Sequence, residues 1–379
     1  MHFAPKAGGT LAAITLALGL AVLPAPAYAA PITCDEAALV AAIDTADLAG
    51  GGTIDLAPNC VYSLDKIEPP TGGSGPNGLP VITEPITING SNSVIERAAA
   101  PLTPNFRIFE VGGTDGELTL NRVTLRNGHL GDEYGGAVLV DAGRVLSVNN
   151  SILTGNTAHE GGAVASFGGS STTISSSIVR NNAVNWGGGG LYTLGGSVTV
   201  RSTIVSGNEA HHGGGIHNLG TLLMQSSYVR NNSAQAEGGG VYDVGTGTIS
   251  SSSVQNNTAD VGGGVFNLAG SLTVNSSTIS GNSAADEGGG IRNFATLDVN
   301  SSSLAANKVT AADSRGGGLY NGAGTATLTS SSVLGNSAVL EGGGIFENPG
   351  STVDLMGSSI VGNTPDNCRP SGAVPGCAD

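Results

Sequence analysis

Aromatic and charged residues are scarce in this sequence, and their scarcity excludes the commonest kinds of soluble domain. Of 379 residues, 4% are aromatic and 11% are charged, whereas 62 residues are glycine. An ordinary globular core draws on a more even composition. A disordered chain is excluded as well, because 39% of the residues are hydrophobic and the mean hydropathy is +0.11. The composition therefore predicts a repetitive fold with a shallow core.

Long apolar runs are missing after the first 29 residues, which excludes a membrane-spanning helix from that part of the sequence. At the start, Lys6 precedes an apolar stretch over residues 11–23, and the motif A-Y-A follows at 27–29. This order is typical of a secretory signal peptide that is cleaved after Ala29. We therefore expect a secreted, extracellular protein without membrane insertion.

Basic residues are few, since 14 Lys and Arg stand against 29 Asp and Glu, for a net charge of −15. Such a chain repels nucleic acid, so we expect no nucleic-acid partner. The excess of carboxylates leaves weak Ca²⁺ binding open, although no calcium nonapeptide G-G-x-G-x-D occurs. We expect no other cofactor and no dedicated metal site.

Only four cysteines occur, in two local pairs at the two ends of the chain. In an exported protein this arrangement predicts the disulfides Cys34–Cys60 and Cys368–Cys377 rather than a zinc or redox site.

A glycine-rich motif recurs through the middle of the chain with a mean period of about 26 residues. Each copy is G-G-A or G-G-G followed by an aliphatic residue. These aliphatic residues are Val138, Val164, Leu191, Ile216, Val241, Val265, Ile291, Leu319 and Ile345. An asparagine recurs in phase with these motifs. An apolar residue stands three positions before each asparagine and another stands eight positions before it, and Ser or Thr stands five positions before it. The asparagines are Asn156, Asn182, Asn208, Asn232, Asn257, Asn282, Asn307, Asn336 and Asn363.

The two apolar positions are five residues apart, an odd number, so on one strand they would face opposite sides. The Ser residues between them must therefore mark a bend, which divides each unit into three short strands. One unit cannot bury its own apolar face, so the units must stack. The sequence predicts an all-β, right-handed parallel β-helix with about 26 residues and three strands per rung. A leucine-rich repeat has a similar period but needs L-x-x-L-x-L, which does not recur.

The ends of such a rod need caps. Thr33-Cys34-Asp35-Glu36 reads as a capping box that starts a helix through about Leu48. We expect a signal peptide at 1–29, an N-terminal cap with irregular first rungs at 30–112, regular repeats at 113–363 and a disulfide-stapled C-terminal cap at 364–379.

The paired motifs resemble the repeat of the polymorphic outer-membrane proteins, in which GGA[ILVY] is combined with FxxN. Gly135–Val138 and Gly161–Val164 match the first motif, whereas an aliphatic residue replaces the Phe of the second, as in Leu153-Thr154-Gly155-Asn156. Cys34-Asp35-Glu36-Ala37 is similar to the N-terminal region of secreted bacterial β-helix proteins with a CSLREA motif, although the central S-L-R is missing. These resemblances imply a pectin-lyase-like β-helix and a role in adhesion.

The densest group of chemically active side chains is HHGGGIHN at 211–218. Its glycines recur in copies without histidine and no G-K-[ST] follows, which excludes a phosphate loop. By alternation His217 need not meet the other two histidines, which argues against a three-histidine metal site.

The positions just before each G-G-A or G-G-G motif stack on one another and gather acids and bases on one edge. These weak catalytic candidates are His211, His212, Glu237, Asp260, Asp286, Glu287 and Arg315.

A second column follows the closing aliphatic residue of each copy. Alternation turns it away from the core, so we expect exposed aromatic residues that form a ligand-binding face. Its members are Tyr192, His217, Tyr242, Phe266, Arg292, Tyr320 and Phe346. In the next column, Asn218, Asn267, Asn293 and Asn321 predict a hydrogen-bonded amide ladder.

Two functions remain open from the sequence. The first is a non-catalytic, adhesive, cell-surface or matrix protein that binds extracellular glycans or protein surfaces along a flat face. The alternative is a polysaccharide lyase or glycoside hydrolase, which rests on the acidic edge and on analogy of fold. Ice or mineral binding would need a flat T-x-T array, and the Ser and Thr columns flank a bend instead.

Overall fold

The computed structural model describes residues 1–2, 4, 30–69, 74–99 and 101–378. The signal peptide predicted for residues 1–29 therefore lies almost entirely outside the described residues. Pro31–Asp379 forms one compact unit, and Met1–Ala30 is assigned to a separate one. No helix in the described part of the chain is long and apolar enough to cross a membrane.

The predicted fold class is confirmed, because the chain forms an all-β parallel β-helix of about 11 turns with about 26 residues per turn. The strands that follow the glycine triplets, here called triplet strands, begin at the closing aliphatic residue. They are Val138–Val140, Val164–Phe167, Val241–Asp243, Val265–Asn267, Ile291–Asn293, Leu319–Asn321 and Ile345–Glu347. Cys368–Arg369 pairs with the last of them.

The core strands lead to the bend and carry the first apolar column. They are Val145–Asn149, Ser171–Ser175, Thr246–Ser250, Ser271–Asn275, Thr296–Asn300, Thr325–Thr329 and Thr352–Met356. In two turns the triplet and core strands merge into Leu191–Arg201 and Ile216–Gln225. The first turns are built from Gly52–Asp55, Val61–Leu64, Pro85–Arg97, Phe109–Val111 and Glu117–Arg126.

The bend strands follow the Ser bend. They are Ile152–Thr154, Ile178–Arg180, Ile204–Ser206, Tyr228–Arg230, Ser253–Gln255, Thr278–Ser280, Ser303–Ala305, Ser332–Leu334 and Ser359–Val361. Strands also follow the asparagines, here called corner strands, so most turns hold four strands where the sequence predicted three. The corner strands are Thr157–Glu160, Ala183–Gly187, Glu209–His212, Ser233–Glu237, Thr258–Val261, Ser283–Glu287 and Lys308–Val309.

Equivalent residues of successive turns stack in register. Ile174 of one core strand pairs with Val148 on one side and with Val200 on the other, and all three are buried. In the bend strands Val179 pairs with Leu153 and with Val205 and faces the same core. The bend between these strands therefore turns both apolar columns inward, as the odd spacing predicts.

The recurring asparagines are buried and connect each turn to the next. Asn182 Nδ2 donates to Asn208 Oδ1 at 3.0 Å, and the backbone N–H of Asn182 donates to the same oxygen. The recurring Ser and Thr form a second ladder, in which Ser177 Oγ accepts from the backbone N–H of Ser151. Because these polar groups satisfy one another, their burial costs little.

The backbone conformation and the close packing of successive turns require glycine in the triplets. Gly213 has φ of +60°, in the left-handed region that glycine adopts most easily. At the second position, a Cβ on Gly239 would lie 2.4 Å from the carbonyl oxygen of Gly263 in the next turn. The triplets thus let successive turns approach more closely than side chains would allow.

The helix Glu36–Leu48 covers the N-terminal end with Leu39, Ile43 and Ala46. Its N-cap is Asp35, whose Oδ1 accepts from the backbone N–H of Ala38 at 2.8 Å. The sequence placed Thr33 at the start of a capping box, which is wrong because the helix begins two residues later.

Both predicted disulfides are present. The Cα atoms are 5.7 Å apart in Cys34–Cys60 and 6.3 Å apart in Cys368–Cys377.

Candidate functional site

The positions just before the glycine triplets form one continuous line, here called the corner edge. Parallel pairing stacks them turn by turn as Tyr134, Glu160, Gly187, His212, Glu237, Val261, Glu287, Arg315 and Glu341. The residues immediately before them in the chain include Trp186, His211, Asp260 and Asp286. The structure therefore places the acid and base candidates along one edge.

The seven candidates do not converge on one point. His212 Nδ1 lies 3.2 Å from Glu237 Oε2, and the rings of His211 and His212 are 4.4 Å apart. Further along, Glu287 accepts a hydrogen bond from Arg292, and Arg315 forms an ion pair with Glu341. Asp260 and Asp286 are exposed. The edge thus consists of separate pairs rather than one catalytic centre.

The expectation that the aromatic column is exposed is wrong, because its aromatic members and His217 are buried and Arg292 is half-buried. Tyr192 is 5% exposed and Phe266 is 1% exposed. The column does face away from the main core. However, the chain turns at the first glycine of each triplet, so that the backbone just before the triplet covers the aromatic column. At Gly238 this approach is so close that an added Cβ would lie 2.9 Å from Cβ of Tyr242. The corrected residues are Tyr192, His217, Tyr242, Phe266, Arg292, Tyr320 and Phe346.

These side chains form a second apolar layer beneath the corner edge. The ring centroids of His217 and Tyr242 are 4.7 Å apart, and those of Tyr242 and Phe266 are 5.4 Å apart. Arg292 fits into the layer because its guanidinium lies 4.7 Å from the centre of the Phe266 ring and pairs with Glu287 at 2.9 Å. The column therefore stabilises the fold and offers no aromatic face to a ligand.

The same column begins with a buried charge that the sequence did not reveal. Glu110 pairs in register with Leu139, and it accepts a hydrogen bond of 2.9 Å from Arg107. Both residues are fully buried, and Asn77 bonds to both. This network joins the loop around Asn77 to the first regular turns.

His217 occupies the aromatic column with no hydrogen-bond partner on either ring nitrogen. Burial, and after it His212, lowers the pKa of His217 to about 3. Its ring fits under Gly187, where a Cβ would lie 2.1 Å from Nδ1. The rings of His212 and His217 are 6.4 Å apart. Within the described ranges, no three His, Cys, Asp or Glu side chains are placed to hold a metal ion.

The pair of His212 and Glu237 is linked to the buried layer. Burial lowers the pKa of His212, against the opposite effect of Glu237. Burial also raises the pKa of Tyr242 to about 12, and the nearby Glu237 carboxylate adds to this effect. Glu237 is thus flanked by an imidazole at the surface and a phenol below.

Trp186, the only tryptophan of the chain, is a surface residue that the repeat pattern did not mark as a candidate. It is 46% exposed, and its ring stacks on His211 with centroids 5.3 Å apart and planes inclined by 28°. Its edge meets His212 at 5.0 Å. Its position in the outward column, one turn from His211, is the signal that could have found it. The stacked rings of Trp186 and His211 are here called the tryptophan platform, and His212, the next residue in the chain, lies 3.2 Å from Glu237.

No protein-family model matches the chain, and no curated protein matches it. Among solved structures, the chain is similar to a mutant tailspike protein of E. coli bacteriophage HK620 in complex with a pentasaccharide. The two are 14% identical with a TM-score of 0.48, over 86% of this chain and 67% of the tailspike chain.

Proposed function

We propose that this protein is a secreted, non-catalytic β-helix protein that binds a glycan at the tryptophan platform. The observation that carries the proposal is the half-exposed ring of Trp186, which lies flat on His211 at the surface of a regular rod. By contrast, the rings of the aromatic column are buried, as at Tyr192, Tyr242 and Phe266. The uncovered part of the Trp186 ring offers an apolar surface on which a sugar ring can stack.

The neighbours of the platform provide the polar half of such a site. Glu237 lies one turn beyond His211 in the same edge, and its side chain is 28% exposed. Its carboxylate can accept hydrogen bonds from sugar hydroxyl groups, and Nδ1 of the half-buried His212 lies 3.2 Å from it. One aromatic surface and a few fixed polar groups are the usual composition of a carbohydrate site.

The arrangement of the carboxylates favours binding over catalysis. Glycoside hydrolysis needs two carboxyl groups that flank one bond, about 5 to 9 Å apart. On the corner edge Val261 separates Glu237 from Glu287, so the backbones of these two residues are two turns, about 10 Å, apart. Asp260 and Asp286 lie in consecutive turns but are exposed, whereas the general acid of such an enzyme needs an apolar, buried setting. Glu287 is also held by Arg292. This is why we place binding before lyase or hydrolase activity.

Secretion and an adhesive role at a cell surface or in a matrix complete the proposal. The apolar stretch over residues 11–23 followed by A-Y-A supports secretion, and the two disulfides fit an oxidising compartment. The adhesive role is supported by the resemblance of Gly135–Val138 and Gly161–Val164 to the polymorphic outer-membrane protein repeat.

The test is a glycan panel with neutral and acidic polysaccharides, in which both retention and the appearance of new chain ends are measured. Trp186→Ala should weaken retention of the preferred glycan at least tenfold. Leu334→Ala is the matched control, because Leu334 has the same 46% exposure but lies far along the rod. Equal loss in both variants, or none in Trp186→Ala, would refute the platform. New chain ends would refute the non-catalytic role.

A further inference from the structure

A groove runs along the rod where each core strand bends into the following bend strand. The residue at the bend has a positive φ in most turns, for example +51° at Ser226, +49° at Ser251 and +47° at Ser276. The groove contains two adjoining cavities of about 440 and 530 Å³, which share Ser276 and Thr278. Apart from Tyr228, Gln255 and Gly357, their lining consists of serine and threonine. We call this surface the bend groove.

Three exposed arginines lie at one end of the bend groove, in three successive turns. Arg180 and Arg230 end bend strands that are two turns apart, with Ile204–Ser206 between them. Arg201 belongs to the intermediate turn and lies on the opposite side of the bend, where it pairs in register with Gln225. All three side chains point away from the core and are exposed.

These arginines differ from others of the chain in having no acidic partner. Arg180, Arg201 and Arg230 make no ion pair or side-chain hydrogen bond to any described residue. Other arginines are held by carboxylates, in the pairs Arg107–Glu110, Arg126–Glu96, Arg292–Glu287, Arg315–Glu341 and Arg369–Asp366. In a chain of net charge −15, unpaired cations gathered on one surface point to an anionic ligand.

Within the bend groove itself no acid competes with such a ligand, and the exposed Glu209 of the intermediate turn lies beyond the bend strand, three residues after Ser206. From the end of each core strand to the end of its bend strand, the sequence has neither Asp nor Glu in all nine regular turns. The acids of the repeats lie largely on the corner edge, in a different sheet from the bend strands. The repeat therefore places most acids on the corner edge and keeps them out of the bend groove.

An exposed aromatic ring lies where the basic part of the groove meets the neutral part. Tyr228 is 49% exposed and lines the first cavity, and Arg230 follows it on the same strand. In the equivalent position, earlier turns have Ile178 and Ile204, and the next turn has Ser253. Tyr228 thus offers a surface on which a sugar ring can stack, with a guanidinium beside it.

The spacing of the arginines suggests how a ligand would lie. Successive turns are about 4.8 Å apart, so Arg180 and Arg230 are separated by about 10 Å along the rod. This is about the length of two linked pyranose rings. A linear polysaccharide parallel to the rod, with one acidic group per disaccharide, would present an anion at each of these positions.

We propose that the bend groove binds a linear acidic polysaccharide, with anionic groups on Arg180 and Arg230, Arg201 facing the ligand from the other side of the bend, and a sugar ring on Tyr228. Beyond Tyr228 the polysaccharide continues along the cavities that Ser and Thr hydroxyl groups line. Nucleic acid fits less well, because its charge on every nucleotide is repelled by the acidic protein. This site is independent of the tryptophan platform, which lies on the corner edge.

The test measures binding of the intact protein to hyaluronan, which carries one carboxylate per disaccharide. The double variant Arg180→Gln/Arg230→Gln and the variant Tyr228→Ala should each weaken binding at least tenfold, and added salt should weaken wild-type binding. Lys308→Gln is the charge control, because this exposed cation lies on a corner strand. It should bind as wild type does.

The proposal is wrong if the wild type does not bind hyaluronan, if the double variant binds it unchanged, or if Lys308→Gln loses as much as the double variant. Neutral dextran and single-stranded DNA are the comparison ligands. Equal binding of dextran would remove the role of charge, and equal binding of DNA would make the groove a general polyanion surface. Trp186→Ala should leave hyaluronan binding intact, so the failure of one site does not imply failure of the other.

Discussion

The side-chain amide of Asn218 donates a hydrogen bond of 2.5 Å to Oδ1 of Asp243, which places a carboxyl group inside a buried ladder of asparagines. Further along the ladder, Asn267 donates to Asn293 and Asn293 donates to Asn321, each at 2.7 Å. Asp243 pairs in register with Asn267, yet neither Oδ2 of Asp243 nor Oδ1 of Asn267 has a partner. A proton on Asp243 Oδ2 would complete the ladder at this turn.

Asp243 should make stability fall as pH rises from about 4 to about 6. Burial raises its pKa from 3.8 to about 6, against the hydrogen bond from Asn218. In this window the folded state binds more protons than the unfolded state, so unfolding becomes easier with rising pH, by up to about 3 kcal/mol. Asp243→Asn supplies an amide donor at every pH and should remove this dependence. Urea unfolding midpoints between pH 4 and 7 measure it, with Asp260→Asn as an exposed control. An unchanged profile in Asp243→Asn would contradict the assignment.

His217 should have the opposite effect in an overlapping range. Its pKa is lowered from 6.5 to about 3, so the folded state binds fewer protons than the unfolded state between these values. Stability is therefore lost as pH falls below about 6.5, by at most about 5 kcal/mol at pH 3. His217→Phe keeps a ring in the aromatic column and removes two buried nitrogens without partners. It should raise the unfolding midpoint at pH 5. Equal acid sensitivity of variant and wild type would show that His217 does not titrate in this way.

Gly239 should be sensitive to the addition of a single methyl group. A Cβ there would lie 2.4 Å from the carbonyl oxygens of Gly263 and Thr258, both in the next turn. We expect Gly239→Ala to cost about 1–3 kcal/mol, because backbone rather than a flexible side chain would have to move. In Gly168→Ala the Cβ would meet nothing within 4 Å, which makes it the matched control. Equal unfolding midpoints for both variants would argue against close approach of the turns at the triplets.

Much of the fold could be predicted because a parallel β-helix repeats each residue in register. The aliphatic residues of the core, the asparagine ladder and the Ser bend each occupy a fixed position in the repeat, so one sequence period describes them all. The corner strands were missed because they are short and their inward residues are small, as at Ala210 and Ala234. Their length also varies between two and five residues, and their pairing contains register shifts, for example between Ala183 and Gly187.

The candidate site could be predicted only in part. The stacking of His212 and Glu237 follows from their place in the repeat, and the structure brings them to 3.2 Å. The contact of Trp186 with His211 depends on the bulge of one corner strand, which no periodicity describes. The buried pair of Arg107 and Glu110 lies in the irregular first turns, where the repeat gives no guidance.

The sequence by itself determined which residues alternate and which recur, and thereby the parallel β-helix, its rung length, its two disulfides and the edge that carries His212 and Glu237. Only the tertiary structure decided what covers each outward face. Alternation turns Tyr242 away from the core, but the positive φ of Gly238 brings the chain back over it, whereas Trp186 and Tyr228 stay uncovered. Exposure depends on how turns fold over one another, and a one-dimensional period does not contain that information.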